Sequence, residues 1–313
     1  MIHENFGEFL KSLRQEKGWT QEEICYDICD RRNYVRWEKN LSVPSFYHLN
    51  LLSRRLNYDL IPFYKFYTCN QSVTIYEYIK NAENYILNND WTSLNNLIQK
   101  MITLKDFHTG ENKENLCYYE ALYYYECKMD YYMSISKCID GLKEEYLSVT
   151  LTNPYDNVTT NIGLCLLNCL ACNYNKINDS EKANEIFHNI INSIDNKIIP
   201  EISYYQSTEF EKKLYQTVIH NLSLNYKRKN KYEIALAYAD KGIAFSLSHN
   251  FLYHLADILE LKFDILYCLG EYKLAVQAYQ LCLNTYLLQN KMSEYNKCIE
   301  NVNSEFTKLK ELL

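Results

Sequence analysis

The sequence predicts an all-α protein, and three observations carry that prediction. Its 313 residues include only 7 Gly and 4 Pro, too few for the turns of a many-stranded sheet. Apolar residues return at intervals of three and four almost throughout. A turn residue followed by a helix with small or aromatic packing positions also recurs along most of the chain. With 47% hydrophobic residues, the chain can bury a large core and is long enough for about two domains.

The first elements lie between Phe6 and about Leu60. Thr20 stands three residues before Glu23, so hydroxyl and carboxylate can satisfy each other's orphan backbone donors and start a helix there. Ile24 and Ile28 then share one face. Asp30 can cap a second helix whose Tyr34 and Trp37 share the inward side. Its other side carries Arg31, Arg32, Val35 and Arg36 as a contiguous outer stripe. Arginine's planar fork suits phosphate oxygens and the guanine edge in the major groove. Two short helices across a tight turn, with such a stripe on the second, suggest DNA binding. Arg31, Arg32 and Val35 are the expected base-edge contacts, and Thr20, Gln21, Arg36 and Lys39 the expected phosphate contacts near helix termini. Val43-Pro44-Ser45 begins a further helix with Leu49, Leu52 and Leu56 inside. Residues 1–67 are therefore expected to form one domain, 68–73 a linker, and 74–313 a second domain.

The second domain reads as degenerate two-helix repeats. Their second helices are marked by Asp90-Trp91 with Leu94, Ile98 and Met101, and by Asp130-Tyr131 with Ser134, Cys138 and Gly141. Asp179-Ser180 follows with Ala183, Phe187 and Ile190, then Lys231-Tyr232 with Ala235, Ala239 and Gly242. The last is Gly270-Glu271-Tyr272 with Ala275, Tyr279 and Cys282. Ser293 to Leu313, with Ile299, Val302, Phe306 and Leu309 on one stripe, is expected to close the array.

Net charge is −6, with residues 1–69 at +1 and the rest at −7. A nearly neutral first domain would hold DNA through local placement of Arg, and the acidic second domain would not hold it unaided. No apolar run has the length of a signal-peptide core or a membrane helix, so a cytoplasmic protein is expected. The 12 Cys are scattered on helix faces and are expected to be reduced. Thirty-one Tyr, with many Asn, Ile and Lys, suggest an AT-rich genome.

The segment from Phe6 to about Leu60 resembles a Cro/repressor-type helix-turn-helix domain in Thr20-Gln21-Glu22-Glu23-Ile24, Arg36-Trp37-Glu38 and Val43-Pro44-Ser45. The short connection Ile28-Cys29-Asp30 is similar to that of the Rgg and PlcR group of peptide-sensing regulators, and the later units resemble tetratricopeptide repeats. The resemblance implies a right-handed solenoid whose concave groove takes a small signalling peptide and alters the spacing of two DNA-binding domains in a homodimer. Groove candidates are Tyr119, Tyr123, Asn168, Asn175, Asn221, Asn225 and Arg228. Asn can grip an extended peptide by donating and accepting at once. Asp257, Glu260 and Asp264 would add an acidic stripe for a peptide amino terminus or a Lys. A solenoid scaffold for a protein partner and a ligand-independent repressor are the alternatives, and activation and repression are equally open.

Catalytic signatures are absent. There is no zinc-protease motif, phosphate loop or dinucleotide fingerprint, the seven His are dispersed, and neither enzymatic activity nor a cofactor or metal is expected. Cys165, Cys169 and Cys172 have an iron–sulfur spacing but lie in a helical run with nothing glycine-rich after it, so packing is expected of them, as of Cys25 and Cys29.

Overall fold

The computed structural model describes residues 5–61, 63–64, 73–145, 158, 160–195, 209–306 and 308. Among these the chain forms fifteen α-helices and no strand. It divides into two compact units, Met1–Leu97 and Ile98–Leu313. The expected linker at 68–73 lies outside the described residues except for Val73.

In the first unit, α1 (Phe6–Glu16) starts where the Asn5 side chain accepts from Glu8 N at 3.0 Å. α2 is Gln21–Cys25, α3 is Arg31–Glu38 and α4 is Phe46–Leu56. Ser45 caps α4 as the Pro-Ser pair predicts, and Asn57 ends it at φ 51°. The inward residues Phe6, Phe9, Leu10, Ile24, Tyr34, Trp37, Leu49, Leu52 and Leu56 form one core. Each such side chain contributes about 1.5–3 kcal/mol through burial. Gly7 lets α1 approach the backbone of α3 at Trp37 and Glu38. Beyond α4 come α5 (Val73–Leu87) and α6 (Trp91–Thr103), within which the division at Leu97 falls.

The second unit continues as antiparallel pairs. These are α7 (Gly110–Tyr123) with α8 (Tyr131–Glu145), α9 (Asn161–Lys176) with α10 (Ser180–Asp195), α11 (Glu209–Arg228) with α12 (Tyr232–Ser248), and α13 (Leu255–Leu269) with α14 (Tyr272–Leu288). The second helices begin at the residues after the predicted turns, and their small packing positions are buried. Gly141 faces Leu166 and Cys117, and Gly242 faces Ile219 and Ile258, so closely that a Cβ at either would require those side chains to shift. First helices of successive pairs, α7 with α9, α9 with α11 and α11 with α13, approach one another more closely than second helices do. The array therefore curves with its first helices on the inner side.

α15 (Met292–Glu305) closes the last pair. Its buried stripe is Cys298, Val302 and Phe306, whereas Ile299 is only half-buried and Leu309 lies outside the described residues. The stripe keeps the expected Val302 and Phe306 and is continued one turn earlier by Cys298, which lies beside Cys282 of α14, in place of Ile299. Asparagine has a structural duty that composition hides: Asn89, Asn178, Asn230, Asn250 and Asn290 all end helices with positive φ. No described helix is long and apolar enough to cross a membrane.

Candidate nucleic-acid interface and ligand groove

The helix-turn-helix is built as its capping residues dictate. Thr20 accepts from Glu23 N at 3.2 Å, and Glu23 Oε2 accepts from Thr20 N at 2.6 Å. Donation from the Thr20 N–H, and then from its hydroxyl, holds the Glu23 carboxyl below its usual range. Asp30 accepts from Arg32 N at 2.7 Å and starts α3. With Tyr34 and Trp37 locked in the core, Arg31, Arg32 and Arg36 are exposed, Val35 is half-buried, and Lys39 is exposed just past the helix. The Arg stripe is thus presented to solvent. Arg31 reaches Glu22 at 3.6 Å, but both are exposed and the pair holds neither in place.

Two expected contacts are committed elsewhere. Gln21 turns inward and donates to Glu38 Oε2 at 2.6 Å, while the Thr20 hydroxyl is engaged with Glu23 at 2.8 Å. Glu38 is the hub that sequence reasoning missed. It accepts from Arg14 Nε at 2.6 Å and Nη2 at 3.3 Å, and Arg14 Nη1 also donates to Trp19 O at 2.6 Å. This carboxylate ties α1, the start of α2 and the end of α3 together.

On the array's first helices, the predicted groove residues separate into three groups. Tyr119 is buried at 2% exposure and presents no surface to a ligand, which corrects its expected place in the groove. Its hydroxyl donates to Asn115 Oδ1 at 3.4 Å. Asn225, at 3% exposure, donates to Asn175 Oδ1 at 2.9 Å and Asn184 Oδ1 at 2.8 Å, so it joins neighbouring pairs. Asn168, Asn221, Asn175 and Tyr123 are half-buried, and Arg228 is exposed. Asn221 donates weakly to Cys172 Sγ at 3.8 Å, and Lys128 lies 5.6 Å over the Tyr123 ring. The Asn168 Oδ1 is buried without a hydrogen-bond partner among the described residues. Asn175, Asn225 and Arg228 line a cavity of about 350 Å³ with Asn178, Ser180 and Lys229.

Asp257, Glu260 and Asp264 do come together, around a second cavity of about 360 Å³ shared with His220, Lys227 and His254. They are not a bare acidic stripe. Lys227 pairs with Asp264, His254 Nδ1 lies 2.8 Å from Asp257 Oδ2, and Tyr286 Oη donates to Glu260 Oε2 at 2.6 Å. Burial pushes Asp257 up, but the hydrogen bond and charge of His254 outweigh it and hold the carboxyl down at about 2. Burial pushes Glu260 up.

The His220 ring stacks on His254 with centroids 5.7 Å apart. Burial, and then His254, hold His220 below the usual imidazole value. The unfolded chain therefore binds this proton first as pH falls, and stability should decline below about pH 6.5. His220→Gln should flatten that part of the stability profile measured by urea denaturation between about pH 7 and pH 5; an unaltered slope would remove His220 as its source.

Sequence reasoning also missed a buried polar ladder. Asn173 Nδ2 donates to Ser134 Oγ at 2.8 Å, Ser134 donates to Ala121 O at 2.8 Å, and Gln216 donates to Gly242 O at 2.9 Å and Ser246 Oγ at 2.6 Å. The only available signal was a polar residue at a position the helix period makes inward. Cys165, Cys169 and Cys172 lie along α9 among packing residues.

The helix-turn-helix family model matches residues 10–63. No curated protein matches the chain. Among solved structures, Bacillus thuringiensis PlcR in complex with the peptide PapR7 and DNA is 17% identical with a TM-score of 0.74, covering 95% of this chain and 99% of that one. The Streptococcus dysgalactiae SHP pheromone receptor Rgg2 is 13% identical with a TM-score of 0.65, covering 96% and 99%. PrgX is 15% identical with a TM-score of 0.60, covering 98% and 96%. At these identities the likeness speaks for a shared fold across both units.

Proposed function

We propose that this chain is a cytoplasmic, homodimeric transcription regulator that binds double-stranded DNA through α3 and takes a small signalling peptide on the inner helices of its array. The observation that carries the DNA reading is the exposed stripe Arg31, Arg32 and Arg36 on a helix whose opposite side is fixed by Tyr34 and Trp37. Val35 and the two first arginines face base edges, Arg36 and Lys39 face phosphates, and Gln21 contributes its backbone N–H at the start of α2, which Thr20 shapes through its bonds with Glu23. Two copies would meet two half-sites.

For the peptide, support comes from the likeness to PlcR and Rgg2 along nearly their full lengths, and from the unpartnered Asn168 Oδ1. Asn168, Asn221 and Arg228 remain the groove contacts of this reading, with Asn175 and Asn225 shaping the adjacent cavity. Asp257 and Glu260 offer acidic acceptors at the far end. A peptide can act only by binding one dimer arrangement better than another, and a coupling of about 1–3 kcal/mol changes DNA affinity about 5–150-fold. No step of this reading requires catalysis.

The test is a DNA shift assay across a salt series, with and without peptides recovered from native protein by mass spectrometry. Arg36→Ala should lower the slope of log affinity against log salt by about one, and Arg32→Ala should cost about 1–3 kcal/mol at one base position. Unchanged slope and selectivity would take α3 out of the interface. A stoichiometric protein partner in place of a peptide would identify the array as a scaffold instead.

A further inference from the structure

Three helices of the last repeat bring together three metal-ligating side chains, two of which, Cys282 and Cys298, have no part in the DNA or peptide reading. Glu260 on α13, Cys282 on α14 and Cys298 on α15 place one carboxylate oxygen and two sulfurs within 4.8 Å of one another. Among the described residues no other group of three such ligands occurs. We propose that Glu260, Cys282 and Cys298 bind a thiophilic divalent cation of the zinc class.

Donor chemistry selects that class. Two sulfurs and one oxygen suit zinc, whereas calcium and magnesium prefer all-oxygen sets. Zinc–sulfur and zinc–oxygen lengths of about 2.3 and 2.1 Å put tetrahedral ligands roughly 3.5–3.8 Å apart, so small side-chain rotations close the present spacing. Both sulfurs are fully buried, and a metal binds cysteine as the thiolate, taking the place of the thiol proton. Binding one cation thus releases two thiol protons and leaves the two thiolates and the carboxylate bound to it.

The surroundings match an ion site in two further respects. Tyr286 Oη donates to Glu260 Oε2 at 2.6 Å and lies 3.2 Å from Asp257 Oδ1, so the liganding carboxylate is held by an outer hydrogen bond. Glu260 also lines the 360 Å³ cavity, an entry whose other acidic groups, Asp257 and Asp264, are paired with His254 and Lys227. With three protein ligands, the fourth position is left for water or a group arriving through that cavity.

The experiment titrates the reduced, chelator-treated full-length protein with Co²⁺ alone under argon. The expected result is one bound equivalent with a thiolate-to-cobalt charge-transfer band, displaced by Zn²⁺ and absent from the Cys282→Ser, Cys298→Ser double variant. Cys165→Ser with Cys172→Ser should leave the band intact. Since the first pair is buried, Glu260→Gln gives an independent reading: Tyr286 can still donate to its amide oxygen, the helical circular dichroism should persist, and cobalt affinity should fall about tenfold or more. No charge-transfer band in the wild-type chain, or the same band and affinity in both the Cys282/Cys298 variant and Glu260→Gln, would overturn the assignment.

Discussion

Glu38→Ala should lower the stability of the helix-turn-helix unit by about 3–5 kcal/mol, the range for removing one partner of a buried ion pair. Glu38 is 6% exposed and accepts from both Arg14 and Gln21 at 2.6 Å. Its removal leaves the Arg14 guanidinium, whose side chain is 11% exposed, with only Trp19 O for a partner among these groups. The hydrogen bonding that Arg14 donates to Glu38 is the main reason that Arg14 holds its proton more tightly than usual. Trp19 and Trp37 flank the network, so the urea midpoint of tryptophan emission in the full chain reports the loss. The exposed pair Glu22 and Arg31 is the control, with an expected cost below about 1 kcal/mol for Glu22→Ala. Equal small effects from both would mean that Glu38 is not the tie between these helices.

Gly7→Ala should also destabilise, by about 1–3 kcal/mol or more, although alanine in an exposed helix interior gains about 1 kcal/mol over glycine. The opposite sign comes from contact: a Cβ there would lie 2.4 Å from Trp37 O, 2.7 Å from Glu38 O and 2.9 Å from Glu38 C. These are backbone atoms of α3 and cannot swing aside as a flexible side chain does. α1 and α3 must separate, and DNA affinity should fall with the same variant because Arg36 lies on the displaced turn. A gain in melting temperature from Gly7→Ala would refute this close crossing.

The N-terminal unit was legible because its signals are local. Thr20, Asp30 and Ser45 each act on an amide two or three residues away, so spacing alone reveals the caps. Arg36-Trp37-Glu38 was recognisable as a motif, but its physical reason was not, since Glu38 meets Arg14 from 24 residues away. The same distance problem misdirected Gln21, whose amide orientation depends on a residue 17 positions later. In the array, second helices announced themselves through small residues, and first helices did not. α7 is apolar on several sides, so the inward turn of Tyr119 was hidden by Tyr118, Tyr123 and Tyr124 nearby. Asparagine carried the least information. One letter serves the buried junction at Asn225, the half-buried Asn168 and the left-handed helix end at Asn178, and only the fold tells them apart.

The nearest-neighbour contacts of the array have a mechanical consequence. Among the described residues each pair packs chiefly against the next, so the stack would yield as a coiled spring does, with strain shared among successive junctions. A rotation of a fraction of a degree at Asn225, and similar ones at each following junction, would sum along the coil into a displacement of its ends. Pitch, and not any single side chain, is then the quantity through which small local changes become large ones.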